Sequence, residues 1–431
     1  MKRRLFFIIG VLSLFIFSLA GEVVAQGLPR VKSPEEVGLS SERLLRISSW
    51  MKADIEKGVI PGSVVLIARK GKVVYFEAFG YRDREKNLPM TRDSIFRIMS
   101  MTKPFTSLAI MMLAEEGKIQ LYYPVSRYLP EFKELKVGTE KKDEATGKIE
   151  LALEPAQREM TVQDLLRHTS GLTYGFGKSP VEDQYKEVKV FDWNQTNAEL
   201  MTKLSKLPLR YQPGTTWDYS MATDVLARIV EVISGMEFDA FVRERIAKPL
   251  KLPDTGFWAE GTGKQARIAE LPKDQPSPFV QDVTKRHNWL SGGGGMISTA
   301  SDYARFCQMF LNSGKLDGVR LISRKTVELM TANHLPPGIR FSPITYPVFG
   351  ALSPTPENGQ GFGIGFGVRM ETGLNSLPGS TGDYSWAGAL GTYFWIDPKE
   401  KLVAIKMMQA PAMRLHYRYL FRHYVYQAIS D

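Results

Sequence analysis

A single cysteine, Cys307, stands among 431 residues. That count excludes an intrachain disulfide and a thiolate metal cluster. Five histidines are present (His168, His287, His334, His416 and His423), none spaced as HxH or HExxH. A His-rich zinc site therefore has no footing, and neither a metal nor an organic cofactor is implied. Walker A, G-x-G-x-x-G and the elbow G-x-S-x-G are also missing, which argues against a phosphate-cradling loop, a dinucleotide fold and an α/β-hydrolase. Charge of one sign does not cluster. Lys and Arg number 56 against 46 Asp and Glu, and the excess of +10 is spread along the chain, so a nucleic-acid partner is not expected.

Only one long apolar run occurs. Leu5 to Ala20 follows the cationic Met1-Lys2-Arg3-Arg4 and precedes Val23-Val24-Ala25, small residues at the spacing a signal peptidase accepts. Residues 1–25 are expected to be an export signal cleaved after Ala25 or, uncleaved, an anchor through residues 5–20. The run is short of the roughly 20 residues of a comfortable span. No cysteine follows it, which excludes a lipoprotein anchor. Either way the body, residues 26–431, is expected to be exported, periplasmic or secreted. Its lone cysteine suits an oxidising compartment. Membrane contact is expected only if the segment stays uncleaved.

The remainder has a globular balance, with 43% hydrophobic and 24% charged residues, which excludes disordered and fibrous classes. Length alone suggests two to three domains at about 150 residues each, yet no repeat or linker interrupts residues 26–431. Leu44, Leu45, Ile47, Trp50, Met51 and Ile55 recur at helical spacing within residues 41–57. Gly62 to Ala68 and Lys72 to Phe79 read as strands around a Lys70-Gly71 turn. Helices are predicted over Ser100–Glu116, Ala222–Ile233 and Ser301–Leu311, each stopped by a nearby glycine. Strands return at Phe362–Met370, Ala389–Ile396 and Leu402–Gln409, with Asp397-Pro398-Lys399-Glu400 as a turn. A last amphipathic helix runs from Leu415 to Ile429.

Strands at both ends and helices between imply an α/β (α+β) fold. One antiparallel sheet would be built from residues of about 30–98 and 340–431, flanked by helices, with a mostly helical insertion at about 99–339. A catalytic cleft would lie at their seam.

Ser100-Met101-Thr102-Lys103 carries the candidate chemistry. A serine hydroxyl needs a base to become a nucleophile, and a lysine one helical turn on faces the same side. Ser49-Trp50-Met51-Lys52 has the same spacing but lies inside the first helix, where Ser49 reads as a surface serine. Gly292-Gly293-Gly294-Gly295 reads as a tight backbone turn.

Ser100-Met101-Thr102-Lys103-Pro104-Phe105-Thr106 resembles the nucleophile segment of the serine β-lactamase and penicillin-binding-protein superfamily. Within it the sequence is most similar to the family VIII carboxylesterases, relatives of class C β-lactamases. Leu165 to Leu172, Pro213 to Ser220, Gly292 to Phe306 and Trp386 to Thr392 extend the likeness, in family order. The resemblance implies the β-lactamase/transpeptidase-like fold, and it implies Ser100 as acyl-forming nucleophile, with Lys103 shifting its proton. Tyr219 would be the general base that also protonates the leaving group. A phenol with pKa near 10 does this only where positive charge favours its phenolate, and Lys103 could supply that charge. Backbone N–H groups of Ser100 and Ala389 match the oxyanion hole.

Two departures bear on substrate. Met221 stands where the β-lactamase tyrosine motif has asparagine, and Trp386-Ala387-Gly388 begins with an indole where Lys or His is usual. Together, Trp386, Ala387, Gly388 and Met221 would offer a neutral ester an apolar surface. Poor β-lactam turnover follows, since a lost charged hydrogen bond costs about 1.5–3 kcal/mol. Glu371-Thr372-Gly373-Leu374-Asn375 spells a class A motif but lies in a hairpin loop just before Trp386, and reads as coincidence. His168 reads as structural. Phe341 to Phe349 and Tyr174-Gly175-Phe176 either line an acyl pocket or cover the core. Tyr417, Tyr419, Phe421, Tyr424 and Tyr426 read as a packing face.

The expected activity is that of a serine carboxylesterase acting on small-molecule esters with short or medium acyl chains. The alternatives are a β-lactamase, a D-amino-acid peptidase or an acyltransferase of the same fold, and, more distantly, a non-catalytic penicillin-binding-type domain. Natural ester and oligomeric state are not set by the sequence.

Overall fold

The computed structural model describes residues 27–142, 144 and 149–431, so the expected export segment lies outside the described residues. Helix α1 (Ser41–Glu56) begins at Ser40, whose hydroxyl accepts from the Arg43 N–H. Leu44, Ile47 and Met51 are buried, while Leu45 points outward at 62% exposure. Strands β1 (Gly62–Arg69) and β2 (Lys72–Asp83) form a hairpin, followed by the short β3 (Leu88–Pro89).

From the other end of the chain come β4 (Gln360–Phe362), β5 (Gly367–Arg369), β6 (Tyr384–Ala387), β7 (Tyr393–Asp397) and β8 (Leu402–Met408). They complete one eight-stranded sheet in the order β4-β5-β6-β7-β8-β1-β2-β3. Every pair is antiparallel, and β1 meets β8 from Ser63↔Met408 to Arg69↔Leu402. Both ends of the described chain therefore build the expected sheet.

Alternation along the central strands feeds two cores. Val64, Leu66, Ile405 and Met407 face one cluster, shared with the helical middle. Val65, Ile67, Ala404 and Met408 face the other, closed by α1 and by Tyr417, Phe421 and Val425 of the last helix. The middle contributes α2 (Lys103–Glu115), α3 (Ala222–Ser234) and α4 (Ala300–Leu311). Every residue of α2 from Lys103 to Leu113 is buried, as befits a helix enclosed on all sides. Helix α5 (Arg414–Tyr426) ends the fold. Among the described residues no helix is long and apolar enough to cross a membrane.

Two predicted elements differ, and two further elements were not expected. The run read as one strand over 362–370 is two, β4 and β5, joined by a turn in which the Gly363 N–H donates to the Phe366 carbonyl and Gly365 has φ +82°. Residues 389–391 form a turn rather than the start of β7, and β6 was not predicted. The helical middle also contains a hairpin, Lys136–Lys142 with Ile149–Pro155.

Candidate active site

Phe96–Arg97 pairs with Ile297–Ser298 and leads into a 3-10 turn, Met99–Thr102, which runs straight into α2. Met99 is held left-handed at φ +48°, a sparsely populated backbone for a residue with a side chain. Pro104 stands in the first turn of α2, where its fixed φ suits the helix. Ser100 is half-buried at this entry and Lys103 is only 1% exposed.

The Lys103 ammonium has three acceptors. Nζ donates to the Gly293 carbonyl at 2.7 Å, the Tyr174 hydroxyl at 3.0 Å and the Ser100 Oγ at 3.3 Å. Burial disfavours its charge and lowers its pKa to about 7, against the opposing pull of Asp224. Near neutral pH this amine exists in both protonation states.

Tyr219 follows the short strand Thr216–Trp217 and is 5% exposed. Its hydroxyl accepts from Trp386 Nε1 at 3.2 Å, and Lys103 Nζ lies 4.5 Å from the ring centroid. Burial pushes the phenol pKa up, while hydrogen bonding to Ser100 and Trp386 and the charge of Arg418 pull it down. Ser100 and Lys103 from one segment and Tyr219 from a distant one thus meet at one point. His168, left-handed at φ +56°, packs its ring 4.8 Å from that of Tyr219, and burial together with Lys103 holds it neutral.

The glycine run supplies the other wall. The Gly295 N–H donates to the Ser291 carbonyl, closing a turn. Gly293 must lack a side chain, since a Cβ there would come 2.4 Å from Asp224 Oδ2 and 2.9 Å from the Tyr174 hydroxyl. Asp224, 1% exposed on α3, fixes this turn by accepting from Ser291 Oγ at 2.6 Å and the Gly293 N–H at 3.1 Å. Across the site, the turn after β6 carries Ala389. A Cβ on Gly388 would lie 2.1 Å from Thr392 Oγ1 and 2.5 Å from the Ile98 carbonyl, so only glycine lets this turn approach the segment leading to Ser100.

Ser100, Tyr219, Asp224 and Gly293 line a cavity of about 350 Å³. Ser100, Ala387 and Ala389 face it, and Tyr174, Phe176, Phe191, Trp193, Phe279 and Trp289 form an aromatic wall. Val348 and Phe349 close it from a short helix, Thr345–Phe349, within the segment expected to be a loop, and Arg414 and Arg418 from α5. Trp386, 5% exposed, stands behind Tyr219 as its hydrogen-bond donor, and Met221 is fully buried at the start of α3. Of the four expected substrate contacts, Ala387 alone lines the cavity. Ser49 is exposed and bonds the Leu45 carbonyl, four residues back on α1. Glu371 is exposed, and Asn375 bonds the Asn358 carbonyl.

Sequence reasoning missed Asp224, the bond from Lys103 to Tyr174, and Arg418. For Asp224 a signal existed: a lone acid in the apolar first turn of the helix that follows Tyr219.

Known proteins share this architecture. The sequence matches the Beta-lactamase family over residues 47–423. An uncharacterised protein of Mycobacterium tuberculosis is 33% identical over 363 residues, 82% of this chain and 87% of that protein. Esterase EstB of Burkholderia gladioli is 28% identical over 368 residues, 78% and 82% of the two chains. Among solved structures, EstCE1, described as a hydrolase with promiscuous acyltransferase activity, superposes with a TM-score of 0.72 at 27% identity, covering 90% of this chain and 98% of its own. With a sheet assembled from both chain ends and a serine at the entry to a buried helix, this chain belongs to the β-lactamase family, as a serine hydrolase of the β-lactamase and penicillin-binding-protein superfamily close to its carboxylesterases.

Proposed function

We propose that the protein is an exported carboxylesterase that hydrolyses esters of short or medium acyl chains through an acyl-Ser100 intermediate. The observation that carries this reading is the meeting of Ser100, Lys103 and Tyr219 at the floor of an aromatic cavity. Lys103 in its neutral form takes the Ser100 proton, directly or through the Tyr219 oxygen, and Oγ attacks the ester carbonyl. Negative charge on the carbonyl oxygen is met by the N–H groups of Ser100 and Ala389. Tyr219 returns the proton to the leaving alcohol as its C–O bond breaks. In the second half-reaction water gives a proton to the same pair and attacks the acyl carbon, and Ser100 regains its hydrogen.

The aromatic wall favours a second acceptor. An apolar alcohol held against Phe176, Phe191 and Phe279 would compete with water for the acyl group, giving acyl transfer alongside hydrolysis.

Intact-protein mass spectrometry with a panel of esters and lactams tests the reading. An acyl mass on Ser100 is expected from p-nitrophenyl butyrate, absent in Ser100→Ala, with nitrocefin turned over far more slowly. Undiminished ester hydrolysis by Ser100→Ala would remove the mechanism, and nitrocefin turnover far above ester turnover would make the enzyme a β-lactamase.

A further inference from the structure

One side of the cavity carries positive charge without a carboxylate to balance it. Arg414 and Arg418 lie one turn apart on α5, and both line the cavity. Arg418 is 4% exposed; its Nη2 donates to the Gly388 carbonyl at 2.7 Å, and its Nε has no hydrogen-bond partner. Among the described residues neither arginine forms an ion pair with an acid. The next turn of the same helix shows the contrast: Arg422, equally buried, is held by both oxygens of Asp383 at 2.9 and 3.0 Å. An unpaired guanidinium out of water is costly. Arg418 lines the same cavity as Ser100 and Tyr219, where the proposed reaction builds negative charge.

We infer that Arg418 is a positioning residue whose fixed charge, seated on the Gly388 carbonyl next to the Ala389 amide, balances the negative charge that builds on the Tyr219 oxygen and on the ester oxygen. This rests on the proposed roles of Ser100 and Tyr219. It also explains how the site works with Trp386 where the family's cation usually stands: the charge enters from the C-terminal helix instead.

The surrounding groups agree. Tyr219 is faced by Lys103, Tyr174, His168, Asp224 and Arg418. Arg418 is faced by Arg414, Tyr393, Tyr419 and Tyr219, and by Lys406 of β8. Burial and Arg414 bring the Arg418 guanidinium down only to about 10, so it stays charged at neutral pH, where Lys103, at about 7, is partly neutral. Arg418 is also among the groups that draw the Tyr219 phenol down. Charge acts more strongly across a cavity walled by aromatic side chains than it does in bulk water.

The test is the pH–rate profile of Arg418→Gln and Arg418→Lys with p-nitrophenyl butyrate. Removing a positive charge makes the Lys103–Tyr219 pair hold its proton to higher pH. The glutamine variant is expected to lose kcat at least tenfold and to move the ascending limb up by about half a pH unit or more, roughly the effect of one nearby charge in a partly screened site. The lysine variant is expected to return the limb toward the parent's position. A glutamine variant with lowered kcat and an unmoved limb would overturn the inference, leaving Arg418 only a brace for the turn. Should Arg418→Gln fail to fold by circular dichroism, Arg414→Gln, on the half-buried neighbour, is read instead: a smaller shift in the same direction supports the inference and an unmoved limb overturns it. A parent that forms no acyl-Ser100 by mass spectrometry overturns the esterase reading itself, and this inference with it.

Discussion

Asp224 and Lys103 are both about 1% exposed, and their charges oppose each other's desolvation. Burial raises the Asp224 pKa, countered by Ser291 and by Lys103, while Asp224 in turn holds the lysine up. The carboxylate also fixes the turn whose Gly293 carbonyl binds Lys103 Nζ. Asp224→Asn keeps the shape and removes the charge. Without that anion Lys103 loses its proton more readily, so the ascending limb of kcat/KM is expected to move to lower pH. The rate at the optimum should fall about tenfold or more, because a hydrogen bond to a charged group contributes about 1.5–3 kcal/mol. Profiles from pH 5 to 9 on both proteins check this, and a limb that stays put or moves upward would refute it. Ser100 and Lys103 were legible in the sequence because their relation is local, three residues apart where the 3-10 turn enters α2. Tyr219 was legible only through its flanking motif. Asp224, Tyr174 and Arg418 act from other segments, and no spacing rule links residues 103, 174, 224 and 418 before the chain is folded.

At the scale of elements, the end of the chain clamps the sheet. Trp50 of α1 stacks on Tyr417 and Tyr424 of α5 at 5.1 and 4.9 Å, so part of the expected aromatic face of the last helix packs against the first. Asp383, just before β6, joins Arg369 of β5 at 2.8 Å to Arg422 of α5. Both arginines are 1% exposed. Asp383→Asn would leave two buried cations without a counter-charge, and breaking such a pair costs about 3–5 kcal/mol. An unfolding free energy from urea titration lowered by that amount is expected, and one within about 0.5 kcal/mol of the parent would mean that the triad carries no net stability. Elements with clear periodicity and turn chemistry were legible: α1, the β1–β2 hairpin, and β8 after its Asp397 turn. The region from Gln360 to Arg369 was not. Its alternating glycines preserve an apolar, strand-like composition while permitting the turn at 363–366, where a Cβ on Gly365 would meet Ser107 Oγ at 2.5 Å. β6 escaped notice because four residues are too few to show a period.

Taken whole, the molecule closes on itself between residues far apart in sequence, with β1 and β8 paired at the centre of the sheet. Closing so long a loop has an entropic cost that grows only slowly with length, and burial on both faces of β1 offsets it. Arg69, at the last position of β1, makes that closure specific. Its guanidinium donates to the Val37 and Gly38 carbonyls at 2.9 and 2.8 Å, to Asp431 Oδ1 at 2.6 Å, and to the Glu400 side chain and carbonyl at 2.7 and 3.1 Å. One side chain thereby ties the segment before α1, the β7–β8 turn and the last residue of the chain. Arg69→Met keeps the aliphatic stem and removes the donors to the buried Val37 carbonyl and to the half-buried Gly38 and Glu400 carbonyls, which predicts a loss of about 2–4 kcal/mol. Arg69 does not line the cavity, so at low temperature and without denaturant the variant is expected to acylate Ser100 at the parent's rate. Urea unfolding followed by circular dichroism, set beside single-turnover acylation, separates the two effects. An unchanged midpoint would show that β1–β8 pairing holds the ends without the clamp, and a slowed acylation would show that strain at the chain ends reaches Ser100 through β1 and its neighbours.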